Sequence, residues 1–204
     1  GRLSPMKDYA TFLHAAAWLK EPKARFLCIG TGGKEYTEEM HQLAQKLGLN
    51  VLWSPPRSDM PAVFNALDAL VSSSAFGEGF SNVAGEAMAC GTPCIVTEVG
   101  DSARLAGDTG FSVPPRNPEA LSRAMQAFIR GDQRAEPRQR ILEHFTVPRM
   151  IQATANLLEC PPAEPQAAAR VLFLITALGS GGAEMMMTQI ITHLDRYRFE
   201  PHVI

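Results

Sequence analysis

The sequence predicts an α/β fold, a parallel sheet with helices on both faces, and three observations carry that expectation. Short strand-like runs at residues 25–29, 50–53, 69–74 (apolar through Val71) and 94–96 alternate with stretches of helical periodicity. Such alternation builds repeated βα units, whose parallel strands need helices on both sides. The run Cys94-Ile95-Val96 is apolar throughout, as a strand buried on both faces requires. Finally, the loops at Arg2, Gly30, Pro55, Glu78 and Val99 would all lie on the carboxyl edge of that sheet, where open α/β folds bind ligands.

Taken in order, residues 1–8 (Gly-Arg-Leu-Ser-Pro-Met-Lys-Asp) form a turn entering a helix. Phe12, Leu13, Ala16, Ala17 and Leu19 then recur at helical spacing. A strand at 25–29 ends in Gly30-Thr31-Gly32-Gly33, followed by a helix to about Leu47. The dinucleotide fingerprint fails there, because Glu35 stands where the last glycine of G-x-G-x-x-G belongs. A tight βα turn is the expectation, with His41 on the surface of its helix. Asn50-Val51-Leu52-Trp53 is a further strand. Asp59 or Ser58 is placed to cap a helix from Met60 to Leu67. After the strand at 94–96, Glu98-Val99-Gly100-Asp101-Ser102 is a loop, and 110–115 holds a last short strand. The stretch 118–129 is amphipathic, with Leu121, Met125, Phe128 and Ile129 apolar, and helices follow around Ile141 and from Pro148 to Leu158.

Residues 160–169, rich in Pro and Ala and without period, read as a linker. Beyond it the chain restarts as βαβ. A strand at 170–176 leads to a Gly-rich turn at 178–184, a helix to about Leu194 and a second strand from Phe199. The Met185-Met186-Met187 run reads as core filler. The expected organisation is therefore a domain at 1–159, a linker at 160–169 and a truncated domain at 170–204. Both ends read as cut, the chain opening at Gly1 and closing inside a strand.

Composition narrows the partners. The 204 residues carry a formal charge of −2, which argues against a nucleic-acid surface. Of the four cysteines, Cys28 and Cys94 read as small core hydrophobes, and Cys160 falls in the linker. Cys90-x3-Cys94 has no second Cys or His pair beside it, so no zinc is expected. Nothing requires disulfides, which makes a reducing cytoplasm the default location. No stretch reads as a secretory signal or a transmembrane run.

The chemistry concentrates between Glu78 and Thr97. A Gly-rich corner runs into a short helix that carries Val83, Ala84, Ala87 and Met88 on one stripe. Ser81 is placed to cap it, and Gly91 stands where a helix end favours a left-handed residue. Asn82 and Glu86, four apart, share the face away from the core. A loop leading to a helix N-terminus offers unpaired N–H groups and the positive dipole end, suited to an anion. Carboxylates at Glu78 and Glu86 would oppose an anion alone. They make sense as acceptors from sugar or ribose hydroxyls beside a phosphate.

With Gly-Glu-Gly-Phe-Ser-Asn-Val-Ala-Gly-Glu-Ala-Met-Ala-Cys-Gly-Thr-Pro around them, Glu78 and Glu86 resemble the E-x7-E signature of retaining GT-B glycosyltransferases of the family 4 type. The likeness covers residues 1 to about 159 and implies a Rossmann-like C-terminal, donor-binding domain whose first strand is missing. It implies that Arg2 and Lys7 contact the donor diphosphate, Arg as a fork and Lys as a point charge. Glu78 would hold donor-sugar hydroxyls, Glu86 the ribose, and Gly79, Phe80, Ser81 and Asn82 would line the phosphates. Arg57, in the loop near the nucleotide base, is a further candidate, although an exposed arginine there is equally ordinary. No D-x-D triplet occurs, so the expected site is metal-free and uses no cofactor beyond its donor, a UDP- or GDP-linked sugar.

The implied parent enzyme transfers sugar to a glycan or lipid-linked acceptor in polysaccharide biosynthesis, in the cytoplasm or at the inner face of the membrane. It needs a partner N-terminal domain, so this chain alone is expected to be inactive. The 170–204 segment resembles the start of such an N-terminal domain, as in a tandem enzyme or a circular permutant. Three alternatives compete with this reading. A non-catalytic nucleotide-binding module fits half a cleft. A glycoside hydrolase pair of carboxylates leaves Arg2 and Lys7 without a use. A redox domain lacks its fingerprint.

Overall fold

The computed structural model describes residues 1–19, 21–132, 136–158, 169–173, 182–195 and 199–203. It divides into two compact units, Gly1–Ile141 and Leu142–Ile204. Among the described residues the first holds five parallel strands. β1 (Phe26–Ile29) pairs with β2 (Val51–Ser54), and β4 (Cys94–Thr97) lies between β3 (Leu70–Ser72) and β5 (Phe111–Val113). β4 is buried along its whole length, as its unbroken apolar run requires.

The helices form two layers. On one face, α1 (Tyr9–Trp18) packs against both α2 (Lys34–Lys46) and α6 (Pro118–Ile129). On the other, α3 (Met60–Asn65), α4 (Asn82–Ala89) and α5 (Ser102–Ala106) pack in sequence order. The layered, Rossmann-like α/β architecture expected from the strand–helix alternation is thus present.

The single parallel sheet is corrected in one respect. Among the described residues the strands form two ladders, β1-β2 and β3-β4-β5, with no strand pairing between them. They share a layer nonetheless, because Phe26 of β1 and Val71 of β3 pack on the same core of Ala15, Leu19, Ile95, Leu121 and Met125. Residues 1–8 stitch the two ladders together at their carboxyl ends. Leu3 pairs in parallel with Gly32, just past β1, and its N–H donates to Thr31 O at 2.9 Å. The Ala75 N–H, past β3, donates to Met6 O at 2.8 Å. Ser73 Oγ donates to the carbonyls of Lys7 and Asp8 at 2.9 and 3.1 Å.

Local expectations meet mixed outcomes. Gly91 has the left-handed φ of +90° expected after α4, whose buried stripe is Ala84, Ala87 and Met88. Helix α3 stops at Asn65 rather than Leu67, since the amides of Ala66 and Leu67 turn back to Val63 O and Phe64 O in a tighter, 3₁₀-type closure. Asp59 sits at the N-cap of α3 but caps nothing, because its carboxylate is taken by Arg57. Ser81 occupies the N-cap of α4 without a side-chain capping bond.

In the second unit, α8 (Val147–Leu158) packs on α9 (Gly182–His193) and brings Ala155 against Val171, Leu194 and Phe199. β6 (Ala169–Phe173) and β7 (Phe199–Val203) pair in parallel with α9 between them, so the expected βαβ is present. The boundary differs from the one expected near residue 159, because α8 shares this smaller core; α7 (Pro137–His144) straddles the division. Ala169 begins β6 rather than ending a linker, and Gly182, Ala183 and Glu184 already belong to α9. Met185 is 64% exposed, so that part of the Met run fills no core. The linker at 160–168 with Cys160, and the turn at 178–181, lie outside the described residues. No helix of the described residues is long and apolar enough to cross a membrane.

Candidate functional site

Because every strand of the larger unit is parallel, the loops after β1, β2, β3 and β4 leave from one edge. The stitching segment carries Arg2 and Lys7 onto that edge. Lys7 closes a 3₁₀ turn (Pro5–Lys7), and Asp8, at a left-handed φ of +46°, starts α1. The Asp8 carboxylate accepts from Thr11 N at 3.2 Å and Thr11 Oγ1 at 2.7 Å, which holds the turn rigid. The Lys7 ammonium thereby meets the loop after β3.

There it forms an ion pair with Glu78 Oε2. The same oxygen accepts from Ser74 Oγ at 2.8 Å. The Lys7 and Glu78 side chains are only 20% and 10% exposed, so water screens this pair far less than it screens the solvent-facing Lys34–Glu38 bridge. The Glu78 loop is held from behind as well. Asp101 N donates to Gly79 O at 2.8 Å, and Gly100 (φ +57°) lies so close that a Cβ there would sit 2.0 Å from Glu78 O.

The helix that follows is α4. Phe80 folds its ring over Gly85, and Asn82 begins the first turn half-buried. Ser81 is fully buried, and its Oγ has no hydrogen-bond partner. Glu86 is exposed, one turn along on the Asn82 side of the helix. The N-terminus of α4 follows directly on the loop that holds the Lys7–Glu78 pair, Arg2 is exposed at the start of the stitching segment, and the two cationic side chains are matched by the two carboxylates Glu78 and Glu86.

A cavity of about 380 Å³ opens on the same edge beyond β1 and β2. Gly30, Thr31, Gly32, Trp53 and Pro55 line it, along with Leu3 of the stitching segment. His41 also lines it, its ring 4.4 Å from that of Trp53. His41 is exposed as expected, yet it helps to wall a pocket, a role that spacing along α2 does not reveal. Thr37, another lining residue, keeps a buried hydroxyl without a partner.

The sequence-derived residues therefore separate. Lys7 and Glu78 are in contact, and Gly79, Phe80, Ser81 and Asn82 continue from Glu78 into α4. Arg57 is exposed, bonded to Asp59 through Nε at 2.8 Å, and does not line the cavity. Sequence reasoning missed Ser73, Ser74 and Gly100, which hold the Lys7 turn and the Glu78 loop. The one available signal was the Ser72-Ser73-Ser74 run, hydroxyls at the end of a strand where apolar side chains would serve packing alone.

The family profile described as "Glycosyl transferases group 1" matches residues 1–130. The chain belongs to that family. Among its curated relatives are D-inositol 3-phosphate glycosyltransferases. The one from Streptomyces bingchenggensis is 34% identical over 140 residues, covering 61% of this chain and 30% of the relative. The one from Mycobacterium marinum is 33% identical over 145 residues, covering 67% and 30%. The chain thus spans about a third of the length of the curated relatives it matches. Among solved structures, Anabaena HepE in complex with UDP-glucose superposes with a TM-score of 0.70 at 27% identity, covering 78% of this chain and 46% of HepE. The C-terminal domain of a Francisella tularensis group 1 glycosyl transferase shares the fold, with a TM-score of 0.63 at 23% identity over 72% of this chain and 83% of that domain. The group 1 chain therefore has the Rossmann-like, GT-B C-terminal architecture.

Proposed function

We propose that this glycosyltransferase chain carries the donor half of a retaining enzyme that moves a sugar from a nucleotide-diphosphate sugar to a glycan or lipid-linked acceptor. The observation that supports it most is the poorly exposed Lys7–Glu78 pair, beside the N-terminus of α4 and on the ligand-binding edge of the sheet. The relative HepE, solved with UDP and with UDP-glucose, supports a donor of that class.

In this reading the departing diphosphate is neutralised by Arg2, by Lys7 and by amides at Phe80, Ser81 and Asn82. Stabilising the charge that develops on a leaving group is the chief way such a site lowers its barrier. Lys7 has three N–H donors, so it can keep Glu78 while reaching a phosphate oxygen. Glu78 Oε1, which takes no hydrogen bond from the described residues, is the acceptor for donor-sugar hydroxyls. Glu86 serves the ribose, and the cavity at Trp53 and His41 takes the nucleoside, with Arg57 at its outer side once released from Asp59. Residues 170–204 would open the N-terminal domain of a second such enzyme in a tandem chain, a reading supported by the parallel β6-α9-β7 unit.

Calorimetric titration of the 204-residue chain with UDP-glucose and GDP-mannose tests the proposal. Saturable binding of one of them is expected, weakened strongly by Arg2→Ala and less by Arg2→Lys. A folded chain that binds neither donor, or an Arg2→Ala variant that binds like the parent, overturns it.

A further inference from the structure

Ser74 has no part in the reading above, yet it is among the most enclosed polar residues in the molecule, 1% exposed. Its hydroxyl donates to Glu78 Oε2 at 2.8 Å, the oxygen that Lys7 also holds. Its carbonyl accepts from Thr97 Oγ1 at 2.6 Å, and Thr97, at the end of β4, is equally buried. The neighbouring Ser73 turns its hydroxyl to the backbone of Lys7 and Asp8 instead. Consecutive serines past the end of β3 thus hold the two partners of one ion pair, Ser73 through the lysine's backbone and Ser74 through the glutamate's carboxylate.

We propose that Ser74 is a positioning residue for donor-sugar recognition, with Thr97 fixing Ser74 in turn. This rests on Glu78 being the sugar-binding carboxylate. A carboxylate held at a single oxygen by a flexible lysine alone is free to rotate and exchange its oxygens. A second donor from a rigid, buried hydroxyl fixes which oxygen is spoken for and in which plane the other is presented. Oε1 then faces the donor in one orientation, so binding costs less ordering of the site. A side chain so enclosed does not reach a ligand itself, and among the described residues its hydroxyl bonds to Glu78 alone.

The distinguishing property is selectivity for the sugar part of the ligand. Ser74→Ala in the 204-residue chain is titrated with UDP-glucose and GDP-mannose, and separately with UDP and GDP. Affinity for the nucleotide sugar that binds is expected to fall roughly tenfold, the scale of one charge-assisted hydrogen bond. Affinity for its bare nucleoside diphosphate is expected to stay within about twofold, since Glu78 does not touch that part. Ser74→Cys, nearly isosteric but a weaker donor, is expected to fall between Ser74→Ala and the parent, and serves if the alanine variant does not fold.

Equal weakening of sugar nucleotide and diphosphate would mean that Ser74 only supports packing, and unchanged affinity for both would mean that it supports nothing. Either result overturns the proposal while leaving the donor site standing. Glu78→Gln, measured in parallel, separates the two ideas. If it does not discriminate between sugar nucleotide and diphosphate, the assignment of Glu78 to the sugar fails, and the role of Ser74 fails with it.

Discussion

Lys7 and Glu78 are 71 positions apart and in direct contact, and the site is built from that single fact. A turn rigidified by Asp8 and Thr11 delivers one partner, and a loop pinned by Ser74 and Asp101 delivers the other. Two consequences can be measured at this scale. Glu86 is exposed and carries its carboxylate on the Asn82 side of α4, so Glu86→Gln removes a charged acceptor without disturbing packing. It is expected to weaken nucleotide-sugar binding by about 1–3 kcal/mol with an unchanged melting temperature. Unaltered affinity would take Glu86 out of the site. Gly100→Ala acts through the fold as well. Its φ of +57° disfavours any side chain, at a cost of about 1–3 kcal/mol. The new Cβ would also press on the Glu78 carbonyl from 2.0 Å, so the loop must shift. Both stability and donor binding are expected to drop together, as read by thermal unfolding and titration. Loss of neither would mean that the loop is not braced where it touches Glu78.

Among the elements, α6 illustrates how local signals succeed, α3 how they fail, and α4 shows both. In α4 the buried stripe of Ala84, Ala87 and Met88 and the closing Gly91 occur where spacing places them, whereas Ser81 makes no capping bond. In α6, Asn117 Oδ1 accepts from Ala120 N at 2.9 Å and Pro118 occupies the first turn, an N-terminus with both of its usual signals. At α3 the residue type is right but the side chain is engaged elsewhere, since Arg57 binds Asp59 through two nitrogens. Capping depends on where the carboxylate points, and a neighbouring guanidinium outcompetes a backbone amide for it. The two sites therefore predict different costs. Asn117→Ala is expected to lower stability by about 1 kcal/mol in urea unfolding. Asp59→Ala is expected to change it by less than about 0.5 kcal/mol, as an exposed position without a cap should. Equal costs at the two sites would contradict the assignment of one real cap and one vacant one.

At the scale of the whole molecule, burial of ionisable groups in the larger unit ties stability to alkaline pH. Burial pushes the Cys28 and Cys94 thiols from an ordinary 9.0 up to about 12, and it raises the Tyr9 phenol as well. The folded chain therefore keeps these protons where the unfolded chain has released them. Stability from this source is intact below about pH 9 and is lost as pH climbs from there toward 12. Urea midpoints measured from pH 8 upward should decline beyond about pH 9, and less steeply in a Cys28→Ala, Cys94→Ala double variant. Identical slopes would show that these thiols are not held protonated.

The same scale separates what was legible in the residues from what was not. Parallel strands with helices on both faces, the order of elements and the Glu78–Glu86 segment all follow from short-range pattern. Periodicity, turn chemistry and an apolar run long enough to be buried are each local properties of the chain. The pairing of Lys7 with Glu78, the support from Ser74, Thr97 and Gly100, and the cavity walled by Trp53 and His41 are different in kind. So is the division of the strands into two ladders stitched by residues 1–8. These depend on which side chains meet across loops from separate βα units, and no spacing along the chain encodes a distance through space.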